Sequence, residues 1–166
     1  MSVSEKLQRA LGSLGLSSGF TFDNLVAALQ THSGRPIEFI PWRMPAVLSG
    51  VWLRGETTDY IFYERTVAAF HQTMIKLHEL CHVLLDHEPL TIEHEIASFL
   101  PDGCFPKGIA QALLRNGHHR SPEEAEAEQA ATLLLELLYS DRTDELFADR
   151  AMTSHVLTYM KRLDYS

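Results

Sequence analysis

The sequence predicts an α+β fold: a mostly helical domain with a small antiparallel sheet of about three strands beside its central helix. Three segments carry that expectation. Residues 67–86, VAAFHQTMIKLHELCHVLLD, contain neither Gly nor Pro, and their apolar residues recur at helical spacing on more than one side, the pattern of a buried helix. Before it, PIEFIPW has strand character, and Ser49 to Glu64 reads as two strands joined by a polar turn at Gly55 and Glu56. After it, SPEEAEAEQAATLLLELL supplies an N-cap at Ser121, a proline at the first helical position and an acidic first turn.

The remaining elements follow in chain order. Residues 4–14 have helix-forming composition, and a second helix starts at Phe22 with Thr21 as N-cap and Gly34 just past its end. Residues 1–34 are thus two N-terminal helices, and 35–65 the small sheet. Residues 67–140 hold two long helices and the segment between them, where Pro89, Pro101, Gly103, Pro106 and Gly108 make 87–120 a loop region around one or two short helices. A last helix is expected over 143–163. No repeat or low-complexity linker divides the chain, so 1–166 is read as a single domain.

Composition narrows the function classes. With 166 residues and 45% hydrophobic content, the chain can bury a core without staples. Its two cysteines, Cys81 and Cys104, form neither a Cys-x-x-Cys pair nor a disulfide framework, which fits a reduced compartment. The first residues lack the apolar core of a signal peptide, and no stretch is long and apolar enough for a membrane span. A cytoplasmic protein with no membrane partner is the expectation. A net charge of -8, from 14 Lys and Arg against 22 Asp and Glu, argues against direct nucleic-acid binding.

The chemistry is concentrated at residues 78–82, HELCH, an H-E-x-x-H match. Composition alone predicts about 0.04 such matches in a chain of this length, so random occurrence is a poor explanation. His78 and His82 are four apart and stack on one helix face, where both imidazoles reach one metal ion. Glu79 lies about 100° off that axis, beside the ligands, as a general base for a metal-activated water requires. A catalytic zinc site needs a third protein ligand and an open position.

Several residues compete for that third place. The metzincin spacing fails, because Leu85 and Glu88 stand where glycine and histidine are required, and the helix is expected to run on past this point. His87, His94, His118 and His119 read as solvated loop histidines. Glu123, Glu124, Glu126 and Glu128 lie in the first turns of the next long helix, where a glutamate would complete a two-His, one-Glu site. Spacing does not choose among the four.

The pairing of HELCHVLLDH with EAEAEQAATLLLELL resembles the ImmA/IrrE family of metallopeptidases, and RPIEFIPW, SGVWLRGETTDYIFYE and HQTMIKLHELCH look like the strand, hairpin and active-site helix of its actinobacterial-type members. The likeness covers roughly residues 20–140. It implies a zincin-like fold, with His78, His82 and Glu126 as metal ligands and Glu79 as the catalytic residue. Glu124 is the first substitute for Glu126. Cys81 departs from the family's usual glycine and reads as packing, although a thiol near a metal could be open to oxidation, and His71, seven residues before His78, reads as a supporting or structural histidine. The implied function is a zinc-dependent endopeptidase acting on a specific protein substrate, such as a helix-turn-helix repressor. Mn2+ and Fe2+ also suit two imidazoles and a carboxylate. The alternative is a non-catalytic metal-binding regulator that works by protein contact. Tyr60, Tyr63 and the loop histidines are open candidates for an oxyanion donor, and TDYIFYE is expected at the sheet edge, where an extended peptide would pair.

Overall fold

A computed structural model describes residues 1–46, 48–91 and 121–139. The helix expected over 143–163, most of the 87–120 segment with His94, Cys104, His118 and His119, and Val47 lie outside the described residues. Helix α1, Val3–Ser13, begins with a capping box in which Ser2 and Glu5 satisfy each other's backbone N–H groups, and it buries Leu7 and Leu11. Helix α2, Phe22–Ser33, repeats the device with Thr21 and Asn24 and ends at Gly34, whose φ of 68° is the left-handed conformation that glycine adopts without strain. Both N-terminal helices stand where expected.

Three strands follow: β1 (Ile37–Trp42), β2 (Gly50–Arg54) and β3 (Asp59–Glu64). β2 and β3 form the expected hairpin, closed by Gly55 N–H donating to Thr58 C=O at 2.9 Å. Asp59, fully buried at its base, accepts from the guanidinium Nε of both Arg35 and Arg54 at 3.2 Å.

The α+β class is as expected, but the sheet is mixed instead of wholly antiparallel. A two-residue strand, β4 (Leu90–Thr91), adds parallel to β2, and β1 pairs parallel with β3, giving the order β1-β3-β2-β4. The cause lies in the seven residues between β1 and β2, too many for a tight hairpin. They arch over the end of β3, where Glu64 N–H donates to Ser49 C=O, Arg65 N–H to Trp42 C=O, and Met44 N–H to the Glu64 carboxylate. β3 therefore slots between the two strands that precede it. TDYIFYE is consequently a central strand, a correction to the expected edge. Pro41 is tolerated because β1 has an unpaired outer side among the described residues.

Helix α3, Ala69–Leu84, is the hub of the fold. It packs on β2 and β3 on one side, on helix α4 (Pro122–Tyr139) on another, and touches α1 and α2. Leu77, Leu80 and Cys81 are wholly buried with Leu25, Ile61, Trp52, Ala131 and Leu134 in the main core. The far face of the sheet carries a second cluster of Met44, Val51, Leu53 and Phe62. Among the described residues no helix is long and apolar enough to cross a membrane.

Candidate metal centre

The site forms where α3 meets the first turn of α4. Ser121 caps that turn, its hydroxyl accepting from Glu124 N–H at 3.1 Å, as the sequence pattern anticipated. Buried Ala127, Ala130, Ala131 and Leu134 then face the core. Alanines at the contact let the two helix axes approach, so that a glutamate side chain one turn ahead of Ala127 spans the gap to α3.

That glutamate is Glu124. His78 Nε2 lies 2.7 Å from Glu124 Oε1, His82 Nε2 lies 3.5 Å from Glu124 Oε2, and the two Nε2 atoms are 3.2 Å apart. One atom from each residue falls within 4.8 Å of the others, the group of metal-donor type found among the described residues. Tetrahedral zinc with bonds of about 2.0–2.2 Å would set its donors roughly 3.3–3.5 Å apart. The two imidazole nitrogens, 3.2 Å apart, are close to that spacing, and the Glu124 carboxylate reaches His78 through one oxygen and His82 through the other. Two nitrogens and one oxygen from partly buried side chains also match the donor set of a catalytic zinc site.

Glu126, which the resemblance put in the ligand set, does not join it. Two residues along a helix are about 200° apart, and Glu126 faces α1, where it pairs with Lys6 and accepts from His87 Nε2 at 3.1 Å. The Lys6 ammonium, with His87, holds its carboxyl below the usual range against a small opposing effect of burial. Spacing does not separate the two glutamates: Glu124 falls in line with buried Ala127, Ala131 and Leu134, and Glu126 with buried Ala130 and Leu134, so the packing of the helix on its neighbours decides between them.

Glu79 is buried beside the imidazoles and takes no place in the ligand group. Burial pushes its carboxyl above the usual range; the two histidines and a hydrogen bond from the Trp52 backbone N–H oppose that shift, and the nearby Glu124 charge adds to it. β2 lies directly over it. A Cβ on Gly50 would stand 2.9 Å from Glu79 Oε1 and 2.5 Å from Ile75 Cγ2, so only glycine permits the strand to approach this closely. At Glu124, burial works to raise the pKa, but hydrogen bonds from His78 and His82 outweigh it and leave the carboxylate firmly ionised. His78 is desolvated, which favours its neutral form, yet Glu124, Glu79 and Glu128 together raise its pKa.

The chain has no significant match among family models, curated proteins or solved structures.

His87 departs most from expectation. Read from sequence as a solvated loop residue, it is buried, with a relative exposure of 6%. α3 ends at Leu84, earlier than the expected run to residue 86, and Asp86 takes a left-handed φ of 57°. His87 N–H then donates back to His82 C=O at 3.0 Å, the six-to-one bond of a Schellman turn. That turn folds the His87 ring onto His82, Nδ1 to Nδ1 at 2.9 Å.

The other residues singled out by sequence separate cleanly. Tyr60 packs with the cluster on the far face of the sheet. Tyr63 faces α3, with Lys76 Nζ 4.1 Å above its ring. His71 stands two turns before His78 in edge contact with Phe70. Cys81 is completely buried, and burial first, then the Glu79 charge, push its thiol pKa up, so packing accounts for it and it is a poor target for oxidation.

Proposed function

We propose that the chain is a metal-dependent peptidase whose zinc ligands are His78, His82 and Glu124 and whose general base is Glu79. The observation that carries this reading is the convergence of two Nε2 atoms and one carboxylate from two helices, with a second, buried carboxylate kept just outside the donor set. Zinc held there would supply Lewis acidity, acidifying a water molecule and polarising a peptide carbonyl. Mn2+ or Fe2+ would fit the same donors.

The protein's own groups do the rest. Glu79, made more basic by burial and oriented by the Trp52 N–H, takes the proton of the attacking water and returns it to the departing amine. Gly50 to Trp52 form the stretch of β2 beside Glu79 that no described strand covers on its outer side. An extended peptide pairing there would cross the site. This moves the proposed substrate edge from β3 to β2. A folded regulator, such as a helix-turn-helix repressor, is the substrate class we propose; the resemblance carried by HELCHVLLDH and EAEAEQAATLLLELL supports it.

Cleavage of candidate regulators by the zinc-loaded protein, beside a Glu79→Gln variant, tests the reading. Glu79→Gln should bind zinc like the wild type and lose at least about a hundredfold in turnover, the scale of general-base catalysis. Equal effects of both proteins on the regulator would assign the site to metal-dependent contact without hydrolysis.

A further inference from the structure

One connected set of polar groups runs from the candidate centre to the opposite side of α4 without supplying a ligand to it. His82 presents Nε2 to His78 and Glu124, and Nδ1 to His87 Nδ1 at 2.9 Å. His87 Nε2 meets Glu126 Oε2 at 3.1 Å, and the other oxygen of Glu126 pairs with Lys6 of α1. Each ring nitrogen in this series therefore has a partner, and the partners decide which nitrogens carry protons.

Glu126 is a carboxylate fixed by a lysine, so the His87 nitrogen facing it must be an N–H donor. When the imidazole carries a single proton, placing it on Nε2 leaves Nδ1 bare to accept from His82. The His82 proton is thereby held at Nδ1, and its Nε2 lone pair is left facing His78 and Glu124. With the opposite arrangement, a proton on His87 Nδ1 would make His82 Nδ1 the acceptor, force the proton to His82 Nε2 and block that atom as a donor to metal. We propose that His87 and Glu126 are positioning residues of the metal centre, selecting the His82 tautomer that binds metal and fixing the plane of its ring.

A further feature agrees with that role. The His87 ring stands 5.0 Å from the His82 ring at 71° and is enclosed, so neither ring turns freely. The Schellman turn with its left-handed Asp86, a common way for a helix to stop, is what brings His87 back to this place.

The inference rests on the metal-centre reading, so the test must separate the two. Zinc affinity, measured on the full chain by competition with a chromophoric chelator, would compare wild type with His78→Ala, His87→Phe, His87→Gln, Glu126→Ala and the His87→Phe/Glu126→Ala double variant. Co2+ absorption of each would report the number of ligands. His87→Phe and Glu126→Ala should each weaken zinc binding about 10- to 100-fold, the usual effect of removing a partner of a ligating histidine. The double variant should be no weaker than His87→Phe alone, because both changes break the same path. His87→Gln, whose amide oxygen still accepts from His82 Nδ1, should recover most of the loss. The Co2+ spectra of His87→Phe and Glu126→Ala should keep wild-type intensity, since no ligand is removed. Glu126 sits at the surface end of the relay, so its alanine variant provides a folded readout if His87→Phe does not fold. Wild-type affinity in Glu126→Ala and His87→Phe, with His78→Ala inactive in binding, would overturn the relay and leave the centre standing. Failure of the wild type itself to bind zinc would overturn the centre, and the relay with it.

Discussion

At the residue scale, Gly50 and Glu79 form the tightest juncture of the candidate site. The space for a Cβ at Gly50 is already filled by Ile75 and the Glu79 carboxylate, so Gly50→Ala must displace a strand, a core side chain or the base. Overpacking of this kind costs about 1–3 kcal/mol. Chemical denaturation should show that loss, and turnover should fall beyond it because Glu79 moves; unchanged stability would mean that the strand does not press on α3. The histidine pair and its base could be recognised from HELCH because ligand and base roles follow from four-residue and one-residue spacings on a helix. His87 could not be recognised in that way. Its position depends on Asp86 adopting a left-handed conformation, a backbone choice that one aspartate in a polar stretch does not announce.

At the scale of elements, the α3–α4 contact sets the geometry. Ala131 is wholly buried between them; Ala131→Leu should push the helices apart, lowering stability by about 1–3 kcal/mol and zinc affinity as well, whereas a loss of stability with affinity intact would uncouple the contact from the site. The arch between β1 and β2 offers a pH test. Thr66 N–H, with Met44 N–H and the Thr66 hydroxyl, holds the Glu64 carboxyl below its ordinary value of 4.5, against a smaller effect of burial. A depressed folded-state pKa adds stability above pH 4.5 that disappears as the pH falls through the lower folded value. Glu64→Gln should therefore destabilise the protein by about 0.5–1 kcal/mol near neutrality and differ little from wild type in strong acid, as followed by urea unfolding across pH. An equal difference at every pH would count against the assignment. Two helix starts were legible because Thr21 and Ser121 are short polar caps followed by helix formers, whereas the first helix was read from its composition and its Ser2 cap emerged only in the structure. The parallel pairing of β1 was not, because strand order depends on how a seven-residue arch crosses a neighbour, and no local residue preference encodes that.

At the scale of the molecule, the fold places a buried helix between a sheet and a second helix, so one side of α3 meets a strand and the other a carboxylate. The Glu124 and Glu126 assignments express that whole-molecule geometry: both glutamates lie on the same turn of α4, and only the direction in which α4 packs decides which one reaches the imidazoles. Buried residues stand at helical spacing from both, Ala127 and Ala131 from Glu124 and Ala130 and Leu134 from Glu126, so the sequence did not carry that direction. The most direct measurement is the zinc content of purified wild type, Glu124→Ala and Glu126→Ala at saturating metal, alongside Co2+ spectra. The wild type and Glu126→Ala should each hold one equivalent with a four-coordinate spectrum, and Glu124→Ala should lose the metal or show one ligand fewer. Retention of an unaltered centre in Glu124→Ala, with loss in Glu126→Ala, would contradict the account.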